Sequence, residues 1–462
     1  MTAIKFGTDG WRGIIAQDFT FDNLRLVSQA FVSWLKSQQL ADKGLFIGYD
    51  NRFDSENFAQ AAAEVCSGAG IKTFLSPRAV PTPVVSFAVN KLKLGAGIMI
   101  TASHNPPQWN GFKIKENFGG SAFPETTQAV EKALTEKLLI TPTRKNIELL
   151  DPIEPYLKFI GSKVDLQLIK SPNIKIVVDA MYGSGAGLFA RLGLPVMECR
   201  GFRDTQFGGI NPEPIPVNLD ESISFTKEVA LKYRNELTGC IILDGDADRL
   251  AAIDGTGQFI NTHNVFCLLL KHLFVHRKMK GEVVKTFNLT NLIDTLCRQY
   301  GLKLTVTPIG FKHIAKIMLE RDVLLGGEES GGMGIKGNIP ERDGILAGLH
   351  LLELMAYEKK TFKQILDALM DENGYFFYSR IDKHTEKAQA LVKNLSQQPP
   401  QDFAGQAVSK VETLDGLKFN FADGSWILFR ASGTEPLLRI YCEGTSQDRL
   451  EQLLAAGDKL AS

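Results

Sequence analysis

A serine on a constrained turn and three alternating aspartates are the residues of this chain best placed to do chemistry. Thr101-Ala102-Ser103-His104-Asn105-Pro106 follows an apolar run, Ala96-Gly97-Ile98-Met99-Ile100, that reads as a strand. Asn105-Pro106-Pro107 forces a turn, because proline fixes its own φ and pushes the preceding residue out of the helical region. Ser103 is therefore expected on a sharp, exposed loop at the carboxyl end of a strand, where open α/β sheets place reactive groups. Asp244-Gly245-Asp246-Ala247-Asp248-Arg249 follows a second apolar run, Cys240-Ile241-Ile242-Leu243. Aspartates at i, i+2 and i+4 of an extended segment point the same way. Three convergent carboxylates repel one another unless a cation is present. Oxygen-only donors favour Mg²⁺ and leave positions for water and a phosphate oxygen. The plain alternatives are a solvated acidic turn and a serine that caps a helix or turn. The pair of settings points instead to a serine carrying phosphate beside a divalent metal, since phosphoryl transfer depends on charge neutralisation.

Other loops add groups of fitting type. Gly327-Glu328-Glu329-Ser330-Gly331-Gly332 offers two carboxylates and a hydroxyl between glycines, a mixture of donors and acceptors suited to sugar hydroxyls; the alternative is a tight loop with solvent-facing glutamates. Arg430-Ala431-Ser432-Gly433-Thr434-Glu435-Pro436 combines a guanidinium, two hydroxyls and a flexible backbone, which together can wrap a phosphate dianion; an arginine packed over a hairpin loop is the plain reading. Arg12 lies in the Gly-rich opening Phe6-Gly7-Thr8-Asp9-Gly10-Trp11-Arg12-Gly13, while Lys113 and Lys312 each follow shortly after a glycine. His104 is either a general base or a turn residue.

These loops recur in one pattern: an apolar run, a Gly- or polar-rich loop, then a helical stretch. Leu45–Asp50 leading to Asn51-Arg52, Lys175–Asp179, Cys240–Leu243, Glu282–Thr286 and Val323–Leu325 all open such units. Continuous apolar strands alternating with helices imply sheets covered on both faces. The expected fold is α/β: three similar mixed-sheet domains and a smaller C-terminal α+β domain around a central cleft. The expected limits are 1–150 for the serine loop, 151–254 for the aspartate loop, 255–372 for the Glu-Glu-Ser loop and 373–462 for the Arg-Ala-Ser loop. A helix over Ile153–Val164 is expected as a linker, and Asp254-Gly255-Thr256-Gly257 and Asn373-Gly374 as boundaries. The length of 462 residues fits several domains. Lys+Arg and Asp+Glu both number 52, a balance that argues against nucleic-acid or membrane-surface binding. Six scattered cysteines without CxxC spacing read as reduced core thiols. No signal-peptide core or spanning run is evident, so a cytoplasmic location is expected.

The four loops TASHNP at 101–106, DGDADR at 244–249, GEESG at 327–331 and RASGTEP at 430–436 occur in the order found in the α-D-phosphohexomutases. The chain resembles that family, which includes phosphoglucomutases, phosphomannomutases and phosphoglucosamine mutases, over essentially its whole length. The resemblance implies a phosphoserine at Ser103, and Mg²⁺ held by Asp244, Asp246, Asp248 and an oxygen on Ser103. It implies sugar contacts from Glu328 and Ser330, and a grip on the idle phosphate by Arg430, Ser432, Gly433 and Thr434. Arg12, His104, Lys113, Arg249 and Lys312 are implied to line the cleft, with Lys113 and Lys312 as rivals for proton transfer. The implied reaction interconverts hexose 1- and 6-phosphates through a 1,6-bisphosphate that reorients in the cleft, so glucose 1,6-bisphosphate is the implied activator and intermediate. The Glu328-Glu329-Ser330 order, with Gly332 where other branches carry histidine, resembles glucose-preferring members; FGTDGWRG is similar to the glucosamine branch. Glucose phosphates are the expected substrates, with mannose phosphates tolerated, in a monomer or homodimer. The alternatives are a glucose 1,6-bisphosphate synthase using another phosphoryl donor, a phosphoglucosamine mutase, and a non-catalytic sugar-phosphate binding protein.

Overall fold

A computed structural model describes residues 4–7, 9–136, 139–433 and 436–461. They form four sheets in chain order: a seven-stranded sheet from Phe6–Gly7 to Ile147–Leu149, a five-stranded sheet from Ile174–Asp179 to Phe259–Ile260, a four-stranded sheet from Glu282–Thr286 to Met333–Ile335, and a six-stranded sheet over the last segment. The first three mix parallel and antiparallel pairs. Their central strands Leu45–Tyr49, Ala96–Ile100 and Val323–Gly327 are buried along their whole length, which explains their unbroken apolar sequences. The fourth sheet is antiparallel, with helices Ala388–Gln397 and Gln447–Leu460 packed against it. This is the three-plus-one architecture expected from the sequence.

Two details depart from the sequence reading. Helix Ile153–Gly161 is no free linker: Ile153, Tyr156, Leu157 and Ile160 are buried, and Tyr156 packs edge-on against Phe87 at 5.8 Å. Strand Phe259–Ile260 turns back to pair with Leu250–Asp254, so the second sheet runs past the expected limit at 254. One continuous apolar core joins helix Thr82–Lys91, the second sheet and helix Gly344–Glu358. The last segment has a separate core of its own and meets the third sheet's loops through a small cluster of Phe287, Trp426, Leu428 and Tyr441. All six cysteines are buried and free. Among the described residues, no helix is long and apolar enough to cross a membrane.

Candidate active site

Strand Ala96–Ile100 delivers the serine loop, and its neighbour Trp109–Glu116 takes the chain away antiparallel. Between them Ser103 adopts φ +55°, the left-handed region that non-glycine residues enter only when the surroundings hold them there. Its N–H donates to Thr101 Oγ1 at 2.8 Å, and Thr101 Oγ1 donates to Asp50. The loop is not exposed as the sequence suggested: Ser103 is 1% accessible, because the aspartate loop covers it. Ser103 Oγ donates to Asp244 Oδ2 at 2.9 Å and lies 3.3 Å from His104 Nδ1.

The aspartates converge by a different geometry from the one their spacing implied. Residues 244–249 are the tip of a hairpin between Leu237–Leu243 and Leu250–Asp254, not an extended segment. Ala247 turns the chain at φ +56°, its N–H donating to Asp244 O at 3.0 Å. The turn folds Asp244, Asp246 and Asp248 inward until one oxygen of each lies within 4.8 Å of the others. All three are fully buried.

Cations from three parts of the chain surround them. Lys113 Nζ lies 2.9 Å from Asp246, 2.9 Å from Asp9 and 3.5 Å from Asp248. Arg342 reaches Asp9 at 2.8 Å, Asp248 at 3.0 Å and Glu328 at 3.3 Å. Arg249 stands further off, at 3.8 Å from Asp248 and 4.0 Å from Asp244. Arg12 donates to Asn105 Oδ1 in the serine loop. Burial, with Asp246 and Asp248 close by, drives the Asp244 carboxyl well above its usual range. Burial acts the same way on Asp246, but Lys113 and the Thr82 hydroxyl overcome it and hold that carboxyl low. Burial and the cations Arg249 and Arg12 hold the His104 imidazole well below its usual range.

The aspartate cluster fits a divalent cation on its own chemistry. Asp246 Oδ1 and Asp248 Oδ1 are buried acceptors without a hydrogen-bond donor, an arrangement that leaves lone pairs free for another partner. Clustered carboxylate oxygens beside a serine hydroxyl are the donor set a hard cation takes.

In the third segment Glu328 is 5% exposed and follows strand Val323–Gly327. Burial pushes its carboxyl up, against the pull of Arg342. Ser330 lies beside it, its Oγ buried. At Gly332 a Cβ would stand 2.2 Å from Arg342 Cδ, so the arginine fills the space that a larger residue at 332 would need. Glu329 instead reaches the last segment, accepting from Tyr378 OH at 2.9 Å and Arg380 Nη1 at 3.1 Å. Arg430, next to last in strand Trp426–Ala431, donates through Nε to Asp415 at 2.9 Å; Asp415 also accepts from Ile309 N–H at 2.8 Å. Ser432 and Gly433 follow, with Ser432 N–H bonded to Leu437 O; Thr434 lies outside the described residues.

Ser103, His104, Arg12, Lys113, Arg249, the three aspartates and Glu328 thus share one buried polar network. Among the described residues, no hydrogen bond or ion pair joins Arg430 or Lys312 to it. Lys312 lies in the first turn of helix Phe311–Glu320 and lines a surface groove with Lys5, Phe6 and Gly7. The sequence reading missed Asp9 and Arg342. Asp9 sits in the Gly-rich opening motif, where its type and setting match an ordinary turn aspartate. Arg342 sits in Glu341-Arg342-Asp343, where Asp343 caps helix Gly344–Glu358 through Leu346 N–H, so the run reads as an ordinary helix start.

Profiles of the phosphoglucomutase/phosphomannomutase α/β/α domains I, II and III match residues 3–139, 154–257 and 261–373, and that of the C-terminal domain matches 383–459. A phosphoglucomutase/phosphomannomutase of Thermococcus kodakarensis is 30% identical, over 98% of both chains. A phosphoglucosamine mutase of Methanococcus maripaludis is 31% identical over 82% of this chain and 83% of its own. A crystal structure described as that of a phosphomannomutase from Thermus thermophilus superposes with a TM-score of 0.87 at 35% identity, covering 100% of this chain and 99% of that one.

Proposed function

We propose that this chain, which belongs to the phosphoglucomutase/phosphomannomutase family of phosphotransferase isomerases, interconverts glucose 1-phosphate and glucose 6-phosphate and tolerates mannose phosphates. The observation that carries the reading is the buried hydrogen bond from Ser103 Oγ to Asp244, which puts a candidate nucleophile against a candidate metal site. On this reading Ser103 carries the phosphoryl group. The free hydroxyl of the sugar attacks phosphorus and the Ser103 O–P bond breaks; the proton lost by the hydroxyl ends on Ser103 Oγ, so that the 1,6-bisphosphate and a free serine hydroxyl form together. The bisphosphate turns over, and Ser103 Oγ takes the other phosphoryl group in the reverse sense.

Asp244, Asp246 and Asp248, with an oxygen on Ser103, would hold Mg²⁺, whose chemistry is neutralisation of the phosphoryl oxygens. Lys113, Arg249 and Arg12 add positive charge around the same point, and His104 stands beside the hydroxyl. Lys113 is preferred over Lys312 for a role in proton movement, on its place in the network. Glu328 and Ser330 would orient the sugar. Arg430, Ser432, Gly433 and Thr434 would hold the idle phosphate, so that residues 1–150, 151–254, 255–372 and 373–462 each contribute one loop.

Comparing kcat/KM for glucose, mannose and glucosamine 1-phosphates, with Mg²⁺ and catalytic glucose 1,6-bisphosphate, tests the substrate. A preference for glucosamine 1-phosphate would overturn the glucose assignment, and net release of bisphosphate from another donor would mark a synthase. Ser103→Ala should abolish phosphoserine and nearly all turnover; a near-normal rate in that variant would remove the nucleophile.

A further inference from the structure

Behind the serine loop lies a buried arginine that no step above uses. Arg52 has no exposed surface. Its Nη1 donates to the main-chain oxygens of Pro106 at 2.8 Å and Trp109 at 3.0 Å. Its Nη2 donates to those of Ser103 at 2.7 Å and Asn105 at 2.6 Å. A buried guanidinium is usually committed to carboxylates. Here Asp50 stands at 3.3 Å from Nε, and the other face of the fork is given wholly to one loop.

Asp50 works on the same loop from its other end. It accepts from Thr101 Oγ1, which in turn accepts from Ser103 N–H. The Asp50-Arg52 pair therefore fixes both the N–H and the C=O of Ser103. That is what a left-handed serine requires, since φ +55° persists only where the surroundings over-determine it. Releasing Ser103 O would allow the loop to relax to negative φ and carry Oγ off Asp244. The fork also ties the carbonyls of Ser103, Asn105, Pro106 and Trp109 to a cation, so their negative ends are compensated close to where a phosphoryl group would sit.

The second sheet's segment closes the arrangement. The ring of Phe207 lies 5.0 Å from the Arg52 guanidinium and is itself fully buried. Asn51 Nδ2 donates to Tyr182 O at 2.8 Å, and Arg203 pairs with Glu56 at 2.8 Å. The residues around Arg52 thus bind the serine loop to the part of the chain that carries the aspartates.

We propose that Arg52 is a positioning residue of the mutase reaction, holding Ser103 in the geometry that receives and donates phosphate. The proposal rests on Ser103 being the phosphorylated residue. The test uses the full chain with Arg52→Lys and Arg52→Gln. Steady-state kinetics with glucose 1-phosphate are read beside the rate at which glucose 1,6-bisphosphate phosphorylates Ser103, followed by mass spectrometry.

Loss of the fork should lower kcat about 100-fold, the order of effect of a misplacement near 1 Å. KM should stay within about threefold, because no substrate contact is touched. Phosphorylation of Ser103 should slow by the same factor as kcat, and Arg52→Lys should recover only a small part, since an ammonium cannot span four carbonyls. A kcat within about threefold of the parent in a folded Arg52→Gln chain would overturn the proposal, as would a loss confined to KM. Should both variants fail to fold, Asp50→Asn carries the test, because it strips the charge that anchors Arg52 Nε and so loosens the hold of the fork on the Ser103 carbonyl. A severalfold fall in kcat at constant KM then supports the proposal, and parent-like kcat overturns it. Ser103→Ala run in parallel separates the two readings: if it retains turnover the nucleophile assignment fails, whereas an inactive Ser103→Ala beside a parent-like Arg52→Gln removes only the role of Arg52.

Discussion

Gly245→Ala is the sharpest probe of how closely the aspartate loop must approach the serine loop. A Cβ at Gly245 would stand 2.5 Å from Ser103 O and 3.1 Å from Pro212 Cγ. Carbon–oxygen contacts close no nearer than about 3.3 Å, so the two loops must part by roughly 0.8 Å along that direction. The backbone has little freedom to yield elsewhere, because Gly245 N–H donates to Pro212 O and Gly245 O accepts from Ser184 N–H. The displacement falls on the 2.9 Å contact between Ser103 Oγ and Asp244. A shift of that size in a reacting constellation costs on the order of 100-fold in rate, about 2.7 kcal/mol of transition-state stabilisation. The assay couples glucose 6-phosphate formation to its dehydrogenase at saturating and limiting Mg²⁺, with thermal unfolding followed in parallel. The expected outcome is a large fall in kcat and a higher Mg²⁺ requirement. Gly70→Ala is the control: φ is +83° with nothing within 4 Å of the new Cβ, so it should cost stability, about 1–2 kcal/mol, and leave kcat alone. A Gly245→Ala enzyme within about twofold of the parent in kcat/KM would refute the claim that loop separation limits the reaction.

Arg430→Ala should raise KM by about 10- to 100-fold with a smaller effect on kcat, since it removes a charge-assisted contact worth about 1.5–3 kcal/mol; unchanged kinetics would take Arg430 out of the phosphate site. Gly332→His should destabilise the fold by about 1–3 kcal/mol through overpacking, because its Cβ would stand 2.2 Å from Arg342 Cδ; an unchanged unfolding temperature would show that Arg342 moves aside freely. Lys418, buried over Trp426 at 3.9 Å, is pushed down to about 7 by burial and by Lys285. An unfolded lysine keeps its proton to about pH 10.4, so between these values raising pH strips protons only from the folded chain, the unfolded chain binds more of them, and the fold gains stability. Unfolding midpoints at pH 7 and 9 should therefore show a pH-dependent gain in the parent that Lys418→Met diminishes; identical profiles would show that Lys418 is protonated in the folded state.

Both reactive loops were legible because their signals are local. Proline placement marked the turn at Asn105-Pro106, and alternating carboxylates after an apolar run marked the second loop. Their actual geometry was not legible, because it depends on positive φ at Ser103 and Ala247, and neither serine nor alanine advertises that conformation. Only the partners across the fold impose it: Asp50 and Arg52 at the first loop, and the hairpin pairing of Leu243 with Leu250 at the second. The same limit hid Arg342, whose bond to Asp9 spans 333 positions. The helix expected over 153–164 ends at Gly161, and its role in the core rather than as a linker is not legible locally, because its packing partner Phe87 lies in another unit.

The charge arrangement explains why the first three units must act as one body. Burying three carboxylates together is unfavourable unless each is compensated, and removing one partner of a buried pair costs about 3–5 kcal/mol. Here Asp9 and Lys113 come from the first unit, Asp246 and Asp248 from the second, and Glu328 and Arg342 from the third, joined by pairs of 2.8–3.5 Å. Separating any of these units strands a buried charge, so the cluster and the shared apolar core hold the same three pieces together. The last segment is attached differently. Its core is its own, and Arg380–Glu329 is a partly exposed pair with side chains 31% and 16% accessible. Opening that seam exposes the small apolar cluster and breaks the bonds from Lys418 Nζ to Phe287 O and from Asn291 N–H to Glu443, but among the described residues it separates no fully buried ion pair. The Arg430 loop thus sits on a segment with its own core, joined to the rest by fewer buried charges than hold the first three units together.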